Sequence, residues 1–281
     1  MNGFKEPLRK NKTMKIHELK YTNTNTYLIR GEKGTLLFDT GWAGTLPLFF
    51  RAMVEIGVPV QSIDYILISH FHPDHMGIAQ EISDLGPKIA AADLQREFIH
   101  SADAVLLRSG RGSFSPIKDE KVRFLNLEES RSFLSELGLH GEILATPGHS
   151  DDSISLFLDS GELFVGDLNP LYELEAHKGT ETERSWRKLL ALEPKKIYYG
   201  HAKTADLKAE QPGPAGAEEK RELYALIRRI MKEIDRKRPL PVIAKKTGAA
   251  PELVEDVARM YLTHRDVGVM GILDRIEIKG M

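Results

Sequence analysis

Apolar positions along the first 200 residues fall in short runs with two different periods. "TYLIR" (26–30) and "TLLFDTG" (35–41) are β-rich and flank the turn "GEKG" (31–34), which predicts a paired hairpin. "LPLFFRAMVEIG" (46–57) repeats its apolar residues at helical spacing and closes on glycine. "YILIS" (65–69) is apolar nearly throughout, as in a strand buried on both faces. A helix over 78–86, a strand over 88–92 and a helix over 93–102 are expected next. Residues 107–120, "LRSGRGSFSPIKDE", lose the period and carry Gly, Ser and Pro, which predicts a long exposed loop. Strand-like runs return at 121–125, 140–149, 154–159 and 162–167. A helix over 184–194 and a last strand over 195–201 complete an alternation that predicts an α/β layered fold.

The pattern changes after residue 200. "AEQPGPAGAE" (209–218) reads as a linker, so the expected organisation is a polar arm over 1–13, a main domain over 14–208 and a C-terminal region over 219–281. That region holds a charged helix (218–237), a helix, turn and helix (240–264, with Pro251 in a first turn) and a β-ribbon tail (267–280). It has the outline of a winged helix-turn-helix. Residues 228–246 carry eight Lys/Arg against Glu233 and Asp235, which suits phosphates. The would-be recognition helix, 251–264, carries Glu252, Glu255 and Asp256 against Arg259, which does not suit a DNA groove. Packing, homodimerisation through the apolar stretch 267–273, or covering of the main domain is therefore expected ahead of nucleic-acid binding.

Composition narrows the chemistry. With 41% apolar residues the chain can build a core, and a net charge of −2 argues for neither a nucleic-acid nor an anionic-membrane partner. No membrane span is expected, and the polar, basic start does not read as a signal peptide, so the expected location is cytoplasmic. There is no cysteine, so any metal site must use nitrogen and oxygen donors.

"SHFHPDHMG" (69–77) supplies such donors in quantity. His70 and His72 can point to one side of an extended segment at the end of a strand. Pro73 suits a helix start, which puts Asp74 and His75 in the first turn. Three more candidates sit where strands should end: His149 in "TPGHS", Asp167 in "FVGD" and His201 in "YYGH". Five histidines and two aspartates exceed what one cation needs and fit two cations sharing a bridge. His100 and His177 are expected to be ordinary surface residues. Arg108, Arg111 and Lys118 are expected to lie on a solvated loop rather than to hold a substrate anion.

With Asp39 in "FDTG", the run 70–75, His149, Asp167 and His201 in this order, residues 14–205 resemble the metallo-β-lactamase superfamily. Ala202 stands where a glycine is frequent, and no ligand is lost. The resemblance implies an αββα sandwich with the metals at one edge and a small, mostly helical C-terminal extension. It implies a first metal held by His70, His72 and His149, a second by Asp74, His75 and His201, and Asp167 as the bridge. Asp39 would orient the cluster, and Asp74 would orient a metal-bridging hydroxide or relay its proton. Zinc is the expected metal, with iron and manganese as alternatives. The segment "TPGHSDDSISLFL" (146–158) resembles the glyoxalase II and lactonase branch. The implied function is hydrolysis of a small ester, thioester or lactone. Phosphodiester cleavage is the rival, and a nucleic-acid- or protein-binding regulator with a metal-sensing domain is the alternative from another class.

Overall fold

The computed structural model describes residues 14–109, 114–207, 214–263 and residue 272. The chain divides into two compact units, Met1–His201 and Ala202–Met281. In the first, a six-stranded sheet has the order β1 (Lys15–Leu19), β2 (Thr26–Arg30), β3 (Thr35–Phe38), β4 (Tyr65–Leu67), β5 (Lys88–Ala92) and β6 (Val122–Leu125). The first two ladders are antiparallel, and those from β3 to β6 are parallel. Within the same unit a second sheet runs β10 (Lys196–Tyr198), β9 (Glu162–Phe164), β8 (Ile154–Leu158) and β7 (Gly141–Ala145). Because β7–β8 and β8–β9 are antiparallel and β9–β10 parallel, β7, β9 and β10 share a direction.

The apolar runs are explained by two cores, one on each face of the first sheet. Tyr27, Ile29, Leu36, Phe38 and Leu67 face the second sheet and pack with Ile143, Ile154, Leu156 and Phe164. Their alternates, Leu28, Leu37 and Ile66, turn the other way onto Phe49, Ala52 and Met53 of α1 (Leu46–Glu55) and Ile82 of α3 (Ala79–Ser83). A strand buried on both faces has no polar phase, which is why these runs are continuous. Between β4 and α3 lies the one-turn α2 (Pro73–Met76), opened by Pro73 as its position predicts. The αββα architecture is the one expected.

Several boundaries differ from the expectation. The helix expected over 93–102 is a 3₁₀ turn at Asp93–Gln95 followed by turns, and α4 (Asp103–Ser109) begins only afterwards. It therefore occupies the start of the expected loop 107–120, and Asp119–Lys121 forms a further 3₁₀ turn. The helix α5 (Ser130–Glu136) and strand β1 carry too few apolar residues to stand out by period. The last helix of this unit is α6 (Glu181–Leu190), with Trp186 and Leu189 fully buried.

In the second unit, α7 (Pro214–Asp235) starts inside the expected linker, since Pro214 is accepted at a helix start. It is followed by α8 (Leu240–Thr247), stopped at the left-handed Gly248, and α9 (Pro251–Thr263). Ile227, Ile230, Ile243, Val254 and Val257 form their common core. The expected β-ribbon tail lies outside the described residues, apart from residue 272. Among the described residues no helix is long and apolar enough to cross a membrane.

Candidate metal centre

All the candidate donors follow the C-terminal ends of strands that point the same way within their sheets. Asp39 follows β3, the 70–75 run follows β4, and His149, Asp167 and His201 follow β7, β9 and β10. Such edges are where α/β folds place their sites. The structure brings all seven donors together. His70, His72 and His149 form one group and Asp74, His75, Asp167 and His201 a second, and in each group the donor atoms lie within 4.8 Å of one another.

In the first group, Nδ1 of His72 is 3.0 Å from Nε2 of His70 and 3.0 Å from Nε2 of His149. In the second, Nε2 of His201 is 2.9 Å from Oδ2 of Asp74 and 3.3 Å from Oδ2 of Asp167. Asp167 reaches both groups: its Oδ2 is 3.6 Å from His149 and 3.9 Å from His70, and its Oδ1 is 3.2 Å from Nε2 of His75. Close approach is possible because residue 200 is glycine: a Cβ there would sit 2.4 Å from Oδ1 of Asp167.

Hydrogen bonds behind the donors fix which nitrogen faces inward. Asp39 adopts φ 62°, a left-handed conformation that aspartate tolerates better than most residues. From there Oδ1 accepts from the Ser69 backbone N–H (2.7 Å), and Oδ2 accepts from the Ser69 hydroxyl (2.9 Å) and from Nδ1 of His75 (2.8 Å). Ser69 Oγ also lies 3.0 Å from Nδ1 of His70. Nδ1 of His201 donates to the carbonyl of Asn23 (2.9 Å). His70, His75 and His201 thus use Nδ1 outward and leave Nε2 for the centre.

The electrostatics call for positive charge at that point. Burial alone would raise the Asp167 carboxyl, yet His75 and His201 hold it well below the usual carboxylate range. Burial would likewise raise Asp74, but the hydrogen bond from His201 lowers it. Burial would lower His75, and the charges of Asp167 and Asp39 raise it well above the ordinary imidazole value. Hydrogen bonds to Asp167 and Asp74 push His201 up to about 10 against the same burial penalty. His70, by contrast, is kept neutral chiefly by burial. Two ionised carboxylates among imidazoles therefore draw protons onto His75 and His201.

A divalent cation fits this arrangement better than protons do. Nε2 of His75 and Oδ1 of Asp167 are buried, lie 3.2 Å apart and have no hydrogen bond. With Nδ1–H of His75 committed to Asp39, only a proton on Nε2 keeps the His75 lone pair from facing Oδ1 of Asp167, and a shared cation would take that proton's place. Neutral imidazole and carboxylate are donors suited to zinc, iron or manganese.

The sequence of residues 20–201 matches the family model described as "Metallo-beta-lactamase superfamily", over more than half of the chain. The chain belongs to that superfamily. Among similar curated proteins are "Beta-lactamase-like protein 2 homolog" of Drosophila melanogaster, 28% identical over 63% of this chain and 58% of that protein, and its namesake in Caenorhabditis elegans, 26% identical over 67% and 59%. The matched region thus spans less than two thirds of those relatives' length. A Methanocaldococcus jannaschii protein described as "Probable metallo-hydrolase" is 30% identical over 52% of this chain and 66% of its own. Among solved structures, a superfamily protein from Sulfolobus tokodaii shares the fold at 21% identity, with a TM-score of 0.52 over 69% of this chain and 82% of that one. A protein solved in a di-iron-bound form does so at 22% identity and TM-score 0.50, over 67% and 92%.

In this superfamily member several further residues support the donors without having stood out in the sequence. Thr24, fully buried, donates from Oγ1 to Oδ2 of Asp74 (3.3 Å). Gln95, also fully buried, donates from Nε2 to the carbonyls of Ile68 (3.1 Å), Ser69 (3.3 Å) and Asp152 (3.0 Å), and accepts from the Ala92 N–H. Asp152 in turn accepts from the Phe71 N–H (2.7 Å). Ser69 and Asp152 adjoin the quoted motifs and were findable there; Thr24 and Gln95 gave no signal.

A cavity of about 570 Å3 opens beside His72 and His149, walled by Phe71, Phe98, Ala102 and Val105. Its described lining includes no Lys or Arg. Lys118 is turned to Asp84 (3.0 Å), and Nε of Arg108 donates to the Ala104 carbonyl, while Arg111 lies outside the described residues. His100 is a surface residue, as expected, bound to Asp103 and Asp119. His177 lies 3.9 Å from Glu173 and belongs to neither donor group.

Proposed function

We propose that the protein is a binuclear metal-dependent hydrolase of small esters, thioesters or lactones. The observation that carries this reading is the convergence of seven nitrogen and oxygen donors as two groups with Asp167 in reach of both. In this reading His70, His72 and His149 would hold one cation, Asp74, His75 and His201 would hold the other, and Asp167 would be shared by both. Two bound divalent cations would supply a water of lowered pKa and polarise the substrate oxygen. The chain's own residues supply the rest. Asp39, through Ser69 and His75, sets the imidazole tautomers. Asp74, on the rim of the second group, accepts the proton that the attacking water loses and delivers it to the leaving oxygen or sulfur. Zinc is the first choice of metal for this donor set, and the di-iron form of a structural neighbour makes iron the second.

Without described Lys or Arg in the cavity lining, only the proposed cations would meet a substrate's charge, and a neutral carbonyl substrate needs no more than that. Metal-loaded protein offered a lactone, a thioester and bis(p-nitrophenyl) phosphate should turn over a carbonyl substrate, and His72→Ala should lower kcat/KM by about 10²-fold or more. Turnover of the phosphodiester alone would replace this substrate class with the rival one, and a fully loaded protein inert on all three would end the enzymatic reading.

A further inference from the structure

The cavity beside His72 and His149 is continuous with the donor cluster, because those two side chains belong to both. Its walls are otherwise unlike the centre. Phe71 is 1% exposed and Ala102 4% exposed, and Val105 stands 58% exposed at the mouth. No Lys or Arg lines the described wall, so a carboxylate or phosphate would meet positive charge only at the proposed metals. The acidic residues at its edge, Asp151 and Asp152, oppose an anion further, and Asp152 is already committed to the Phe71 N–H. Ser101 and Ser150 add two hydroxyls to the lining, beside Pro73 and the phenyl rings of Phe71 and Phe98. The apolar part of the lining, Phe71, Pro73, Phe98, Ala102 and Val105, suits an uncharged hydrocarbon group.

We propose that this cavity binds the hydrocarbon part of the substrate's acyl group. The inference rests on the hydrolase reading for its direction: that part lies against Phe71, Phe98, Ala102 and Val105, and the carbonyl carbon comes beside His72 and His149. Water then adds to that carbon, the bond to the ester oxygen or thioester sulfur breaks, and the leaving atom takes the proton. The products are a fatty or similarly apolar carboxylic acid and an alcohol or thiol. A cavity of this size belongs to the range that holds whole small-molecule ligands, so it has room for a chain well beyond acetyl.

The test separates the pocket from the chemistry. Butan-1-ol, hexan-1-ol and octan-1-ol are titrated into the full chain while the methyl signals of Ala102 and Val105 are followed by NMR, which needs no turnover. Affinity should rise about fourfold per added methylene, with shifts at both methyls. Val105→Glu, a change at an exposed position that leaves the fold intact, should weaken octan-1-ol binding about tenfold or more. In parallel, kcat/KM for p-nitrophenyl octanoate should exceed that for the acetate in the wild type, and Val105→Glu should remove the difference while acetate turnover persists. Affinity independent of chain length, or unchanged octan-1-ol binding in Val105→Glu, would overturn the proposal even if esters are hydrolysed. Chain-dependent binding without hydrolysis of any ester would leave the pocket in place and remove the hydrolase reading.

Discussion

Asp39 illustrates how one residue organises this centre. It sits at φ 62° immediately after β3, where the strand would otherwise continue, and from there its two oxygens receive three hydrogen bonds. Two of these lead to imidazoles in different donor groups: directly to His75, and through the Ser69 hydroxyl to His70. Asp39→Asn keeps the shape but offers an N–H₂ to groups that are already donors. Competition with a chelator should show metal binding weakened about 10–100-fold, with little change in the far-UV circular dichroism. Unchanged affinity would remove Asp39 from the account. In sequence terms Asp39 was visible only through a resemblance to a family; no periodicity marks it, because its role depends on a conformation that places a carboxylate under two histidines far along the chain.

At the scale of elements, the centre depends on holding several strand ends in register. Gln95 ties the end of β4, through the carbonyls of Ile68 and Ser69, to the segment carrying His149, through the carbonyl of Asp152. It therefore braces the three histidines of the first group and touches none of them. Gln95→Met should weaken metal binding at the first group about tenfold or more and leave the second within about threefold, as read from stepwise cobalt titration spectra. It should also cost stability, on the order of 1–3 kcal/mol for each buried polar group left unpaired. Equal weakening at both groups would mean a general loss of packing instead.

A second element-scale device is the clasp of His100 on two carboxylates. His100 donates to Asp119 (2.9 Å) and Asp103 (2.8 Å), closing the stretch that includes α4. The hydrogen bond to Asp119 raises the His100 pKa, aided by Asp103 and against burial. A raised histidine contributes stability below its unfolded pKa of about 6.5 and loses it as pH rises through the folded value. Melting of His100→Gln should therefore fall below wild type at about pH 5.5, and the gap should close toward about pH 9. A gap constant across that range would show that the His100 charge is not involved.

The elements differ in how far they could be read from sequence. The strands of the two-faced core were legible because burial on both sides leaves continuous apolar runs, and the donors were legible because they follow those runs. Residues 93–102 misled because "DLQREFIHSA" has helical spacing, yet Gln95 turns inward to pair with backbone carbonyls and the chain follows it into turns. α5 was passed over because its short span buries only Ser130, Phe133 and Leu134.

For the whole molecule, the division into two units puts every proposed donor in the first. The second has its own core, and its charge is partly spent internally. Glu233 of α7 accepts from Arg236 (2.6 Å), Arg238 (2.8 Å) and Lys246 (2.8 Å), which removes three of the eight cations that suggested a phosphate surface. The central claim is that Asp167 joins the two donor groups into one dinuclear centre, and metal analysis combined with anomalous diffraction from crystals of the loaded protein tests it most directly. The account predicts two cations about 3.5–4 Å apart, one within bonding distance of His70, His72 and His149, the other of Asp74, His75 and His201, with Asp167 touching both. A single cation at saturation, or a pair of cations bound elsewhere, would contradict it.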